Sequence, residues 1–236
     1  DTFFPFKSGE VKELLWTNPN PYSDFGAKTV SLDLSEYKQV IVEAKRGKTN
    51  DANNNMIVSV VLLDVNGMSL TLGRMNSDYT KGSSRKITAT SSGVIFGQCY
   101  ESTSVNNQDC IPTRIYGIKD GIPTQSGTET LWTNPNPSVD FNAQTIQLNL
   151  NGYEGIIIEI FYDNHDLSKK TNTIYKVGDS NTWIDCNVDH KQPYSRQREI
   201  IKISNDGIQF GGAYQNNLQY DWIGVPYKIY GLKQWY

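Results

Sequence analysis

A concentrated charge of either sign is missing from this chain: among 236 residues, 22 Lys+Arg stand against 25 Asp+Glu, a net charge of −3. Nucleic acids and anionic membranes recruit proteins through a strong positive field, so neither is an expected partner. No apolar run nears the roughly 18 residues of a membrane span, and membrane insertion is not expected. Histidine is scarce, with only two, and cysteine amounts to three. His165 and His190 lie in the polar runs Asp163-Asn164-His165-Asp166 and Asp185-Cys186-Asn187-Val188-Asp189-His190. Neither run has the dense ligand spacing of a metal site, and no Asp-x-Asp-x-Asp-Gly calcium loop occurs. There is no Gly-x-Ser-x-Gly elbow and no phosphate-binding glycine loop. The expectation is a protein without metal or cofactor that is not an enzyme. The chain opens at Asp1 rather than Met, which reads as a fragment, a processed form or a chain whose earlier residues are not shown.

What is present is a repeat. Leu15-Trp16-Thr17-Asn18-Pro19-Asn20-Pro21 recurs letter for letter as Leu131-Trp132-Thr133-Asn134-Pro135-Asn136-Pro137, 116 residues later. Asp24-Phe25 matches Asp140-Phe141, and Tyr37 matches Tyr153. Near the end of each copy, Gly93-Val94-Ile95-Phe96-Gly97 pairs with Gly207-Ile208-Gln209-Phe210-Gly211 at an offset of 114. Ile115-Tyr116-Gly117 likewise pairs with Ile229-Tyr230-Gly231. A period this long marks a duplicated domain rather than a solenoid unit. The expected organisation is an N-terminal arm over 1–10 carrying Phe3, Phe4 and Phe6, repeat one over 11–119, a linker over 120–127 and repeat two over 128–236. Having no counterpart before the second copy, the apolar arm is expected to dock on a neighbouring molecule.

Inside each copy the apolar period is two. Val30, Leu32 and Leu34 alternate with polar residues, as do Ile146, Leu148 and Leu150, which predicts strands buried on one face. Val40–Ala44 and Ile156–Ile160 are β-branched runs suited to central strands. Ile57–Val65 and Met68–Leu72, joined by Asn66-Gly67, read as a hairpin. No window sustains a helical face. Seven or eight short strands per copy predict an all-β protein of two tandem β-sandwich, jelly-roll-like domains.

The Trp-Thr-Asn-Pro-Asn-Pro motif admits two readings. Its indole and amides could serve a sugar-binding loop. Alternatively its prolines fix φ, its asparagines build turns and its tryptophan anchors the loop on the core. Because both copies keep the motif together with the core residues around it, the scaffold reading is preferred. This block, with the following Ala27 and Thr29–Leu34 and the closing Ile111–Lys119, resembles a module of bacteriophage structural proteins, found near the ends of tail-fibre, baseplate or minor virion proteins. The resemblance spans nearly the whole chain twice and carries no catalytic or binding residues with it. It implies a virion component with a structural or host-adhesion role, assembled in the host cytoplasm. Such a component would form an oligomer with other virion proteins and contact a glycan or protein of the host surface. A carbohydrate-binding accessory module of a secreted bacterial enzyme is the alternative.

The segments that differ between copies are the natural place for function, since duplication keeps a scaffold and frees its loops. In copy two they hold aromatic residues beside Asn, Gln and Asp, a composition suited to glycans or protein interfaces. The candidate binding residues are Trp183, His190, Tyr194, Tyr220 and Trp222. Cys99 and Cys110 flank a hairpin-like excursion that would bring them close enough for a disulfide, although assembly in the cytoplasm favours thiols. Cys186 is expected free.

Overall fold

The computed structural model describes residues 12–48, 57–75, 82–101, 103–119, 128–186, 196–215 and 218–233. The apolar arm and the 120–127 linker lie outside these residues. Copy one contributes strands β1 (Lys12–Thr17), β2 (Lys28–Ser31), β3 (Gln39–Gly47), β4 (Ile57–Asp64), β5 (Ser69–Met75), β6 (Gly82–Thr90), β7 (Gly93–Glu101), β8 (Ser104–Val105) and β9 (Asp109–Ile118). Copy two repeats the series as β10 (Thr128–Thr133), β11 (Gln144–Gln147), β12 (Gly155–Asp163), β13 (Lys170–Lys176), β14 (Ser180–Asp185), β15 (Arg196–Ser204), β16 (Gly207–Gln215), β17 (Leu218–Gln219) and β18 (Ile223–Leu232). The protein is all-β. Each copy forms two antiparallel sheets, β1-β9-β3-β4 over β2-β7-β6-β5 in the first and β10-β18-β12-β13 over β11-β16-β15-β14 in the second. The arrangement is jelly-roll-like in that β1 and β2 enter opposite sheets and pair with the late strands β9 and β7.

Two local expectations change. The alternation through Leu34 and Leu150 continues past the ends of β2 and β11. Leu32 and Leu34 bond instead to the β6–β7 turn at Ser92 and Ser91, and Leu148 and Leu150 to Asp206 and Asn205. The Asn66-Gly67 turn does not close a hairpin, because β4 and β5 belong to different sheets. Its backbone is satisfied from elsewhere, Val65 by Lys38 and Gly67 by Ala89, so the turn carries the chain over the sandwich edge. Val177 and Gly178 do the same in copy two through Glu154 and Ile203. Gly93 and Gly207 sit at φ 139° and 138°, where a Cβ would collide with the Val30 or Ile146 carbonyl, which accounts for the repeated glycine.

Each sandwich is filled by equivalent side chains. Val40, Val42, Ile87, Phe96 and Ile115 pack together in copy one, and Ile156, Ile158, Ile200, Phe210 and Ile229 in copy two. Among the largest buried side chains, however, stand two arginines. Arg85 lies on β6 and Arg198 on β15, and both are wholly buried. Arg85 donates Nε to the Cys110 carbonyl (3.0 Å), Nη1 to Gly97 (2.5 Å) and Nη2 to Phe25 (2.6 Å). Arg198 donates to Gly224, Gly211 (3.0 Å) and Ile223 (2.9 Å). Each guanidinium also stacks on a phenylalanine, Phe25 at 5.2 Å and Phe141 at 5.1 Å. Burial lowers both arginine pKa values, that of Arg198 to about 10.

A sulfur accompanies each arginine, but from different strands. Cys110 adopts φ 47° at the start of β9, and Gly224 takes its place at φ 55°. A Cβ on Gly224 would stand 2.5 Å from Cys186 Sγ, so a cysteine beyond β14 occupies the corner that Cys110 fills in copy one. All three cysteines are buried free thiols. Cys99 and Cys110 are indeed neighbours, and that contact, with burial, pushes the Cys110 thiol well above its ordinary pKa.

The two copies share a third apolar cluster. Ile41, Leu62 and Ile118 face outward from sheet β1-β9-β3-β4 and join their equivalents Ile157, Ile174 and Leu232, with Tyr116 and Tyr230 at the border. Strand β4 lies against β13, and β5 against β14. At this seam Asn172 accepts from the Leu62 N–H (3.2 Å) and donates to the Leu62 carbonyl (3.1 Å), capping an open sheet edge with a side-chain amide. The register places Val60 at the position equivalent to Asn172.

Replacing Arg198 by Met should destabilise the protein by about 3 kcal/mol or more, because three carbonyls lose their donor. Arg198→Lys should recover little of that, since one ammonium cannot reproduce the fork. Urea unfolding of the two variants measures both effects, and full recovery by lysine would mean that charge rather than geometry matters.

Candidate functional site

The repeated tryptophan motif is structural. Trp16 packs edge-on against Phe25 (6.3 Å between centroids) and Trp132 against Phe141 (6.4 Å). Asn18 donates to the Pro112 carbonyl (2.8 Å) while its Oδ1 accepts from the Asn20 N–H (2.9 Å). Asn134 repeats both bonds with Pro226 and Asn136, at 2.9 Å each. The first amide of each motif, Asn18 or Asn134, thus binds the loop to the last strand. Asp24 and Asp140 extend the anchoring, the first through an ion pair with Lys48 (2.9 Å) and the second through a hydrogen bond from Asn164 (2.7 Å).

Of the five expected binding residues, His190 and Tyr194 lie outside the described residues. The other three separate into two places on copy two. Tyr220 and Trp222 stand at one tip, in the turn before β18, with ring centroids 5.6 Å apart. The tip is held in place by the backbone, Asn164 N–H to the Trp222 carbonyl (2.9 Å) and Phe141 N–H to Asp221 (2.8 Å). His165 meets Trp222 edge-on at 5.6 Å.

Arg196, which sequence reasoning passed over, organises this tip. Its guanidinium lies 4.1 Å from the Tyr162 ring and 5.0 Å from Trp222. It donates to Gln215 Oε1 (2.6 Å) and stands 3.5 Å from an Asp163 oxygen. Asp163 and Asp166, considered as metal ligands, serve the loop. Asp163 accepts from the His165 and Asp166 N–H groups (3.0 and 2.8 Å). Asp166 accepts from Ser168, and this bond, with Lys169, lowers its pKa to about 2. At the corresponding corner of copy one there is a polar network instead. Ser83 donates to Asp109 (2.7 Å), and Asn106 donates to Asp109 (3.0 Å) and Glu101 (3.1 Å).

Trp183 lies elsewhere, on the outward face of sheet β11-β16-β15-β14. Ile184 and Arg198 point inward, so the period of two turns Trp183, Gln197 and Glu199 outward. Trp183 stands opposite Glu199, and Gln197 lies opposite Tyr214 on the next strand. The Trp183 and Tyr214 rings meet at 5.9 Å. The Glu199 carboxylate rests on Gly211, where any Cβ would overlap it. Burial alone raises its pKa. Gln197 is nearly inaccessible, and its Oε1 has no hydrogen-bond partner. By the strand register, copy one carries Thr71, Ser84 and Lys86 in place of Trp183, Gln197 and Glu199.

At the opposite end of copy two, Gln147, Leu148, Asn149, Asn151, Asn205 and Asp206 line a shallow hollow of ≈ 380 Å³. Its amides partly serve each other, Asn149 accepting from Asn151 (2.8 Å).

No protein-family model matches the chain, and searches of curated proteins and of solved structures return no match either. The site therefore rests on its own geometry.

Because Glu199 is more easily protonated in the fold, its ionisation works against stability once the pH exceeds its raised pKa. Glu199→Gln should raise the melting temperature at neutral pH, and the difference should vanish in acid, below the unfolded carboxylate pKa. Thermal melts from pH 3 to 8 give the sign, and a variant less stable at pH 7 would mean that the carboxylate has a stabilising partner.

Proposed function

We propose that this protein is a non-enzymatic structural and adhesion component of a bacteriophage virion, whose second copy carries the contact with the host surface. The observation behind this reading is the asymmetry between copies. The turns, buried arginines and cores are kept in both, whereas the Tyr162–Arg196–Trp222 tip and the Trp183–Glu199 face occur in copy two alone. Divergence at a tip and an outward face, over a core that both copies keep, fits a surface shaped for binding. The likeness of the repeated motif to virion modules supplies the biological setting, with other virion proteins as assembly partners and an oligomer as the working form. A carbohydrate-binding accessory module is the second reading, favoured by the aromatic rings set beside acceptor groups on the outward face. Attachment to a catalytic domain in the full gene would support that reading, and a symmetric place in a particle reconstruction would support the first.

Paired variants test where binding lies. Trp132→Ala should cost about 2 kcal/mol, less than a fully buried tryptophan would, and leave adhesion of the folded fraction intact. Trp222→Ala should change stability by less than about 1 kcal/mol and weaken cell or particle binding around tenfold. A Trp132→Ala protein that folds normally but no longer binds would invert the assignment.

A further inference from the structure

Asparagine followed by glycine occurs twice in the chain, as Asn66-Gly67 and Asn151-Gly152. The pair is chemically unstable because glycine, lacking a side chain, lets its own backbone nitrogen approach the asparagine side-chain carbonyl. Locally the two sites are alike. All four residues are exposed, both glycines lie at positive φ (92° and 86°), and a Cβ on either would meet nothing within 4 Å. They differ in the attacking nitrogen. The Gly67 N–H donates to the Ala89 carbonyl (2.9 Å), between the Val65–Lys38 and Ala89–Met68 bonds that hold the same turn to the sandwich. The Gly152 N–H makes no hydrogen bond among the described residues. Its turn is closed around it instead, by Tyr153 N–H to Leu150 (3.1 Å) and by Asn151 N–H to the Asn149 side chain (3.1 Å).

We propose that Asn151 is a site of spontaneous deamidation in the folded protein and that the fold protects Asn66. The Gly152 nitrogen gives its proton to solvent base and attacks Asn151 Cγ. A C–N bond forms there, the Cγ–Nδ2 bond breaks, and ammonia leaves with a proton returned from water, giving a succinimide. Water then opens the ring at either carbonyl and leaves aspartate or isoaspartate. Water is the only co-reactant, and nothing is oxidised or reduced. At Gly67 the same proton is held by Ala89, so that turn must open locally before it can react. Either product places a carboxylate in the hollow that Asn149 and Asp206 also line. Isoaspartate in addition lengthens the main chain inside the turn that carries Tyr153. The Tyr153 ring lies on Gly231 and its hydroxyl donates to Glu129 on β10, so the change reaches the last strand and the edge beside it. Copy one keeps the same turn, closed by Tyr37 N–H to Leu34, with Ser35-Glu36 in place of the reactive pair.

The full chain is incubated at physiological temperature and mildly alkaline pH, sampled over days, and followed by peptide mapping with mass spectrometry and an isoaspartate assay. Asn151 should gain the mass of amide hydrolysis about tenfold faster than Asn66, or more. In urea the two sites should react at similar rates, because only the fold separates them. Asn151→Gln, whose longer side chain forms the cyclic imide far more slowly, should remove most of the deamidation. The aged parent should melt lower than the fresh protein, while Asn151→Gln should melt the same before and after ageing. Equal rates at the two sites in the folded protein, or a ratio that persists in urea, would overturn the proposal. So would an Asn151 that stays intact in the fold while it reacts in urea. An equal loss of melting temperature in aged Asn151→Gln would show that the turn around Tyr153 is not where the damage falls.

Discussion

A guanidinium held entirely by backbone carbonyls joins the two sheets of each sandwich. Arg85 reaches from β6 to Gly97 on β7 and across to Cys110 on β9, and Arg198 reaches from β15 to Gly211 and Gly224. Carbonyls at the ends of facing sheets would otherwise be buried without donors, and no apolar side chain could satisfy them. One rigid fork meets several at once. The geometry it demands reaches outward: the left-handed residue at Cys110 or Gly224, the bulge after the arginine, and the phenylalanine beneath it are all set by where the fork points. The sulfur beside each arginine shows how closely that corner is packed. When its own strand has glycine, a cysteine from beyond another strand moves in.

With the sandwich secured this way, the outer faces are released for other work, and the two copies use theirs differently. The outward faces of β1-β9-β3-β4 and β10-β18-β12-β13 contribute equivalent residues to a shared cluster, so the duplication has become an intramolecular, nearly two-fold interface. The symmetry breaks where Asn172 reaches Leu62. A valine stands at the reciprocal position, and one edge is capped by a side chain while the other is packed by apolar contact. The outward face bearing Trp183 and the tip bearing Trp222 belong to copy two alone, which is where an adhesive role can evolve without disturbing the core.

The duplication, the all-β class and the core positions are legible from the residues alone, because alternation of period two and exact recurrence of a motif are local signals. The scaffold role of Asn18 and Asn134 is legible too, since a turn built on a side-chain amide involves neighbours two residues apart. The Asn66-Gly67 turn was misleading for the converse reason. An Asn-Gly pair promises a tight reversal, but whether the flanking strands pair or part company depends on Lys38 and Ala89, which are distant in the chain. The aromatic residues of the divergent segments stood out by composition. Their division into a tip around Arg196 and a face around Glu199 did not, because strand register decides which residues share a side.

The order of residues by itself determined that this chain would be two β-sandwiches with equivalent cores, since burial of alternating side chains needs only the local pattern. It also determined which loops had diverged. Only the tertiary structure decided that two arginines would lie at the centre of apolar cores. An arginine in a strand looks like any surface cation until the carbonyls that surround it, 12 to 60 residues away, are brought together. Likewise the Gln197 oxygen became a buried acceptor without a partner only when the strands bearing Trp183 and Tyr214 were brought to either side of it. Hydrogen-bond satisfaction is a property of the neighbourhood, and the neighbourhood exists only in the fold.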